Sequence, residues 1–171
     1  MEGTWSSFGI SSKGGGMRSG RPRLHVVRER PGEPALLGGR FDWREELELV
    51  APDVTLPPGC TAQAITAAEG SLGLTFPREQ VEFLKATDGV YDAESHHWFA
   101  WSLERLVDEN FEPDTPTGML VVGDDAASGW FCVPLAGNGV RYYERTTGRS
   151  RTVAADLSSL WLGWFGGTLR V

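Results

Sequence analysis

Cysteine is nearly absent from this 171-residue chain: Cys60 and Cys132 are the only two. Their separation fits no metal-ligand spacing, so neither a zinc site nor a disulfide is expected in a reducing compartment. Cys132 falls in an apolar strand pattern, the usual place of a small buried hydrophobe. Long apolar runs are missing too. Windows such as residues 159–167 are far shorter than the roughly 20 residues of a bilayer span, and the first residues lack the apolar core of a secretory signal. The expectation is a soluble, cytoplasmic protein with no membrane partner. There is also no Gly-x-Ser-x-Gly, no P-loop or dinucleotide glycine motif, no serine with an identifiable histidine partner and no internal repeat. Nothing marks an enzyme or calls for a cofactor.

What is present is charge, unevenly placed. Residues 1–40 carry seven Lys or Arg against three Asp or Glu, a net +4, whereas residues 41–171 carry nine against twenty, a net −11. An acidic body repels nucleic-acid phosphates, so no direct nucleic-acid binding is expected, and it attracts basic protein surfaces. Residues 1–22 are rich in Ser and Gly with scattered basic residues, which predicts a flexible arm. Residues 23–60 read as an extension: a short strand Leu24–Val27, a Pro/Gly-punctuated loop, and a helix Trp43–Val50 behind an Asp42 cap.

The strongest local signals lie between Thr61 and Gly89. Ile65, Ala68, Glu69 and Leu72 fall at helical spacing behind a Thr61 cap, and Gly73 stops the turn. Phe76-Pro77 forces an extended step and places Pro77 at the first position of a second helix, in which Val81, Phe83 and Leu84 make an apolar seam. Asp88-Gly89 closes it. Further on, Ser102 caps a helix with Leu103, Leu106 and Val107 facing inward. Four strand-length runs follow (Met119–Val122, Trp130–Leu135, Val140–Glu144, Ser150–Ala154), separated by short turns that imply antiparallel neighbours. Asp156 then caps a last helix striped with Leu157, Leu160, Trp161 and Trp164. The pattern predicts an α+β class in one domain, with an antiparallel sheet of about four to six strands and helices mainly on one side.

Glu69, Leu72-Gly73, Phe76-Pro77, Phe83-Leu84 and an acidic or amide residue before Gly89 form an ordered series. After them come Trp101-Ser102-Leu103-Glu104-Arg105-Leu106, then Val122-Gly123-Asp124-Asp125 before Trp130-Phe131-Cys132-Val133, and a closing helix after Val153-Ala154-Ala155-Asp156. In this order the chain resembles the SUKH superfamily, the Smi/Knr homology domains, over roughly Thr61 to Phe165, which marks residues 61–167 as the SUKH-like domain. Asp88 departs from the pattern, standing where the family usually has Asn. The resemblance implies a non-catalytic binding protein: many bacterial members look like immunity proteins that occlude a cognate toxin, and fungal relatives regulate cell-wall synthesis.

The candidate partner-binding residues are the aromatics beside the loops after Gly89 and Gly123, together with the acids around them: Asp88, Tyr91, Asp92, Trp98, Trp101, Asp124, Asp125 and Trp130. Exposed aromatics inside an acidic rim suit protein recognition. His96-His97 with Glu94 is not a metal site, because neighbours on a strand point to opposite faces. Asp124-Asp125 with Ser128-Gly129 lacks the ligand count of a calcium loop and reads as a turn. The expected partner is a protein, a basic toxin domain by the resemblance, with the chain itself a monomer or weak homodimer. Two other readings stand: a ligand-sensing domain or small enzyme using a groove between helices and sheet, and an interaction protein of cell-wall synthesis.

Overall fold

A computed structural model of the protein describes residues 41–171, which belong to one compact unit. The arm at 1–22, the strand Leu24–Val27 and the loop up to Gly39 lie outside the described residues.

The elements run in the order α1 (Trp43–Val50), α2 (Ala62–Leu72), α3 (Arg78–Ala86), β1 (Val90–Asp92), β2 (His97–Ala100), α4 (Leu103–Asn110), β3 (Met119–Asp124), β4 (Gly129–Pro134), β5 (Val140–Glu144), β6 (Arg149–Ala154) and α5 (Leu157–Phe165). The strands form one antiparallel sheet in chain order, β1 to β6. This is the α+β architecture expected from the sequence.

The caps fall on the residues with the right chemistry. The Asp42 carboxylate accepts the N–H groups of Arg44 and Glu45, Thr61 that of Ala64, Ser102 that of Arg105 and Asp156 that of Ser159. Each satisfies donors that a helix start leaves open. Glu79 reaches from α3 to accept Leu157 N–H at 2.9 Å and Ser158 N–H at 3.1 Å, so the start of α5 is held by two carboxylates. Gly73 ends α2 in the left-handed conformation at φ +66°. Glu69 then accepts the Phe76 N–H at 2.8 Å, fixing the step between α2 and α3.

Two boundaries differ from the sequence expectation. Pro77 is the N-cap of α3, so the helix starts at Arg78, one residue later than predicted, and it ends at Ala86 instead of reaching Asp88-Gly89. Thr87 is the physical reason for the second. This residue is fully buried and extended at φ −152°, and its hydroxyl shares its one hydrogen between the carbonyls of Gly89 at 2.8 Å and Pro57 at 3.0 Å.

Much of the core lies on the sheet face that carries Phe131, with Val121, Trp130 and Cys132 buried on the other face. Its ring meets Trp161 at 5.5 Å and Trp164 at 5.1 Å, so α5 covers that face. Trp161 continues through Phe83 to Trp43, joining α3 and α1 to the same core. Gly123 makes the close approach possible: a Cβ there would stand 2.7 Å from the Trp161 ring and 2.0 Å from the Phe99 carbonyl oxygen. Leu47 of α1 is fully buried, so truncating it to Ala is worth about 2–5 kcal/mol. Helix α4 packs on α2 and β3. Strand β2 pairs with β3 only at Ala100–Gly123, which leaves the lower edge of β3 open. Asn110 at the end of α4 closes it, accepting Val121 N–H at 2.9 Å and donating to Val121 C=O at 2.8 Å.

Candidate functional site

Asp124, like Asp125 after it, accepts four hydrogen bonds at the predicted site. It closes β3, is 8 % exposed, and its neighbour Ala126 adopts φ +61° to turn the chain toward β4. Its Oδ1 takes a hydrogen bond from His97 Nε2 and one from Ala126 N–H at 2.8 Å. Its Oδ2 takes Trp101 Nε1–H at 2.8 Å and Arg105 Nη2 at 2.9 Å. Four donors occupy the four lone-pair positions of a carboxylate, so no acceptor capacity remains for a substrate proton or a metal. The Arg105 guanidinium also lies 4.7 Å over the Trp101 ring. One carboxylate thus ties β2, β3, α4 and the turn after β3 together.

Asp125 does different work one residue later. Its Oδ1 accepts the N–H groups of Ala127, Ser128 and Gly129, and its Oδ2 accepts the Tyr142 hydroxyl at 2.8 Å. Burial works to raise its pKa, but the hydrogen bonds from Gly129, Tyr142, Ala127 and Ser128 outweigh burial and hold the carboxyl below its ordinary value. The turn reading of this pair accounts for Asp125, whereas Asp124 is an organiser of three elements that no local motif announces.

Trp101 and Trp130 correct the expected aromatic surface. Trp101 is 0 % exposed and Trp130 6 %, because Trp101 is spent on Asp124 and Arg105, and Trp130 is packed between Tyr143 at 6.2 Å and the Arg145 guanidinium at 4.6 Å. Asp88 is half-buried and accepts the Leu103 N–H at 2.6 Å, adding a carboxylate to the Ser102 hydroxyl at the start of α4. Trp101 and Trp130 are thus buried in the fold, while Asp88 keeps a half-buried carboxylate at the start of α4.

Tyr91, Asp92 and Trp98 are brought together on the β1–β2 hairpin. Tyr91 and Trp98 face each other across the strands with ring centroids 5.1 Å apart, both half-buried, and the Tyr91 hydroxyl meets His96 Nδ1 at 3.2 Å. The Ser95 hydroxyl and the Glu94 N–H bond Asp92 and lower its pKa. His96 sits in the turn at φ +54° and His97 on β2, and they bond different partners, Tyr91 and Asp124. Among the described residues no group of three or more His, Cys, Asp or Glu is placed to hold a metal ion. No described helix is long and apolar enough to cross a membrane.

The groove between α2 and α4, with a volume of about 500 Å³, is lined by Cys60, Ala64, Asp88, Leu103, Glu104 and Asp108 among others. Burial pushes the Cys60 thiol up to about 12, and the bond to Asp88 and its charge add to the shift. Burial likewise pushes Cys132 up to about 12. Protonated thiols of this kind are poor nucleophiles.

The structure defines an α+β domain whose Asp124 and Asp125 clusters are consumed in holding the sheet and its turn, leaving a small aromatic hairpin and charged surfaces outside. The chain belongs to the SMI1 / KNR4 family (SUKH-1), which matches residues 59–162, more than half of its length. No curated protein matches it. The matched range begins at the groove and ends inside α5, so α1 lies before it.

Proposed function

We propose that this protein is a non-catalytic binding module that grips a basic protein partner through the acidic surface of the β1–β2 hairpin and α4. One observation carries the reading. The sequence stretch 88–114 contains eight Asp or Glu against Arg105 alone, a net −7, and it includes Tyr91 and Trp98, two half-buried aromatics. Aromatic anchors surrounded by charge are the usual build of an interaction site. The saturated Asp124 and the protonated thiols support a role without chemistry. Within a family of immunity proteins and cell-wall regulators, this build favours the immunity role: the acidic surface occludes a basic toxin and speeds encounter with it.

The test is co-purification with the product of the neighbouring gene, followed by titration of variants. Trp98→Ala is expected to weaken the complex by about 2 kcal/mol, and the double reversal Asp92→Lys/Glu94→Lys to slow association and reduce its salt dependence. Turnover of a small molecule with no protein partner defeats the proposal.

A further inference from the structure

The positive charge of residues 41–171 is concentrated in one hairpin. Residues 140–154 carry Arg141, Arg145, Arg149 and Arg151 against Glu144 alone, a net +3, while the rest of that span carries five Lys or Arg against nineteen Asp or Glu, a net −14. The hairpin is β5–β6, at the end of the sheet opposite to β1. Arg145, Arg149 and Arg151 are exposed, Arg141 is half-buried, and none of the four forms an ion pair among the described residues.

Register divides them between the two faces of the sheet. Arg151 lies opposite Tyr142 and Arg149 opposite Glu144, on the face of Phe131. Arg141 lies opposite Cys132 and Thr152 on the other face, where Arg145 covers Trp130. The arginines therefore border the outer strand on both sides. That strand is open, since the outward backbone groups of Arg149–Ala154 have no backbone partner among the described residues. The opposite edge differs: Thr55 and Tyr91 exchange both hydrogen bonds, at 2.7 and 3.0 Å, and so block β1.

An unpaired edge is a template for a further strand, and its side chains choose which strand. Pairing β6 with β6 of a second copy would set like charges against each other. A nucleic-acid backbone needs its cations on one surface, and strand alternation has split them here. We infer that the β6 edge docks an extended acidic segment of a partner protein as an added strand, with carboxylates at alternate positions facing Arg149 and Arg151. This surface is separate from the acidic hairpin.

The test uses the full chain and fluorescein-labelled peptides of alternating Glu-Thr and alternating Lys-Thr, with a single-stranded oligonucleotide for comparison. The Glu-Thr peptide is expected to bind, to slow amide exchange within residues 149–154, and to lose at least about tenfold in affinity on Arg149→Glu/Arg151→Glu. The circular dichroism and melting of that exposed-site variant should match the parent. Equal binding of the Lys-Thr peptide, tighter binding of the oligonucleotide, protection on another element, or unchanged affinity in the variant overturns the inference. So does concentration-dependent dimerisation through β6. The Asp92→Lys/Glu94→Lys variant should bind the peptide as the parent does, so the two surfaces can fail independently.

Discussion

At the scale of single residues, two neighbouring aspartates carry unlike burdens. Asp124 is nearly buried and accepts His97, Trp101, Arg105 and the Ala126 N–H. Asp124→Ala strands the buried Trp101 donor and leaves Arg105 only its partly exposed pair with Glu109 at 3.5 Å, so a loss of about 3 kcal/mol is expected in urea unfolding. Asp125 and Asp156 have pKa values below the ordinary 3.8. In both, burial opposes the shift and hydrogen bonds win, from Gly129, Tyr142, Ala127 and Ser128 at Asp125 and from Ser159 and Ser158 at Asp156. A carboxyl whose folded pKa lies below its unfolded one contributes stability that is complete above the unfolded value and is lost as pH falls through the folded one. The urea midpoint should therefore drop between about pH 5 and pH 2, and Asp125→Asn should make that drop shallower.

At the scale of elements, glycine positions separate turn chemistry from close packing. Gly73 has φ +66° with nothing within 4 Å of an added Cβ, so Gly73→Ala costs only the left-handed strain, about 1 kcal/mol. Gly89 has φ +89°, and its Cβ would stand 2.7 Å from the Ala100 carbonyl oxygen and 2.9 Å from the Ser102 nitrogen. Gly89→Ala should cost more than about 2 kcal/mol, and paired thermal melts measure the difference. Gly73 was legible as a helix stop because a chain ending a helix there needs only local conformation. The crowding at Gly89 was not, because the atoms it would strike come from β2 and the start of α4. Asn110 is a similar case: its amide closes the edge of β3 eleven residues on, and no periodicity marks a residue chosen by an unpaired backbone.

At the scale of the whole molecule, α1 belongs to the core although it precedes the matched family range. Trp43 and Leu47 are buried, and Trp43 meets Phe83 at 5.2 Å. A chain shortened to residues 61–171 is expected to lose cooperative unfolding and to bind a hydrophobic dye, whereas one of residues 39–171 keeps a two-state transition. Equal melting of the two would show α1 to be an accessory. Local sequence was enough for the caps, the helix faces, the alternating strands and the net acidity, because each depends on residues within a turn or a strand of one another. Which tryptophans were buried and which aspartate became a hub depended on register across the sheet and on the packing of α4 and α5. Those relations join residues far apart in the chain, and only the folded sheet brings them into contact.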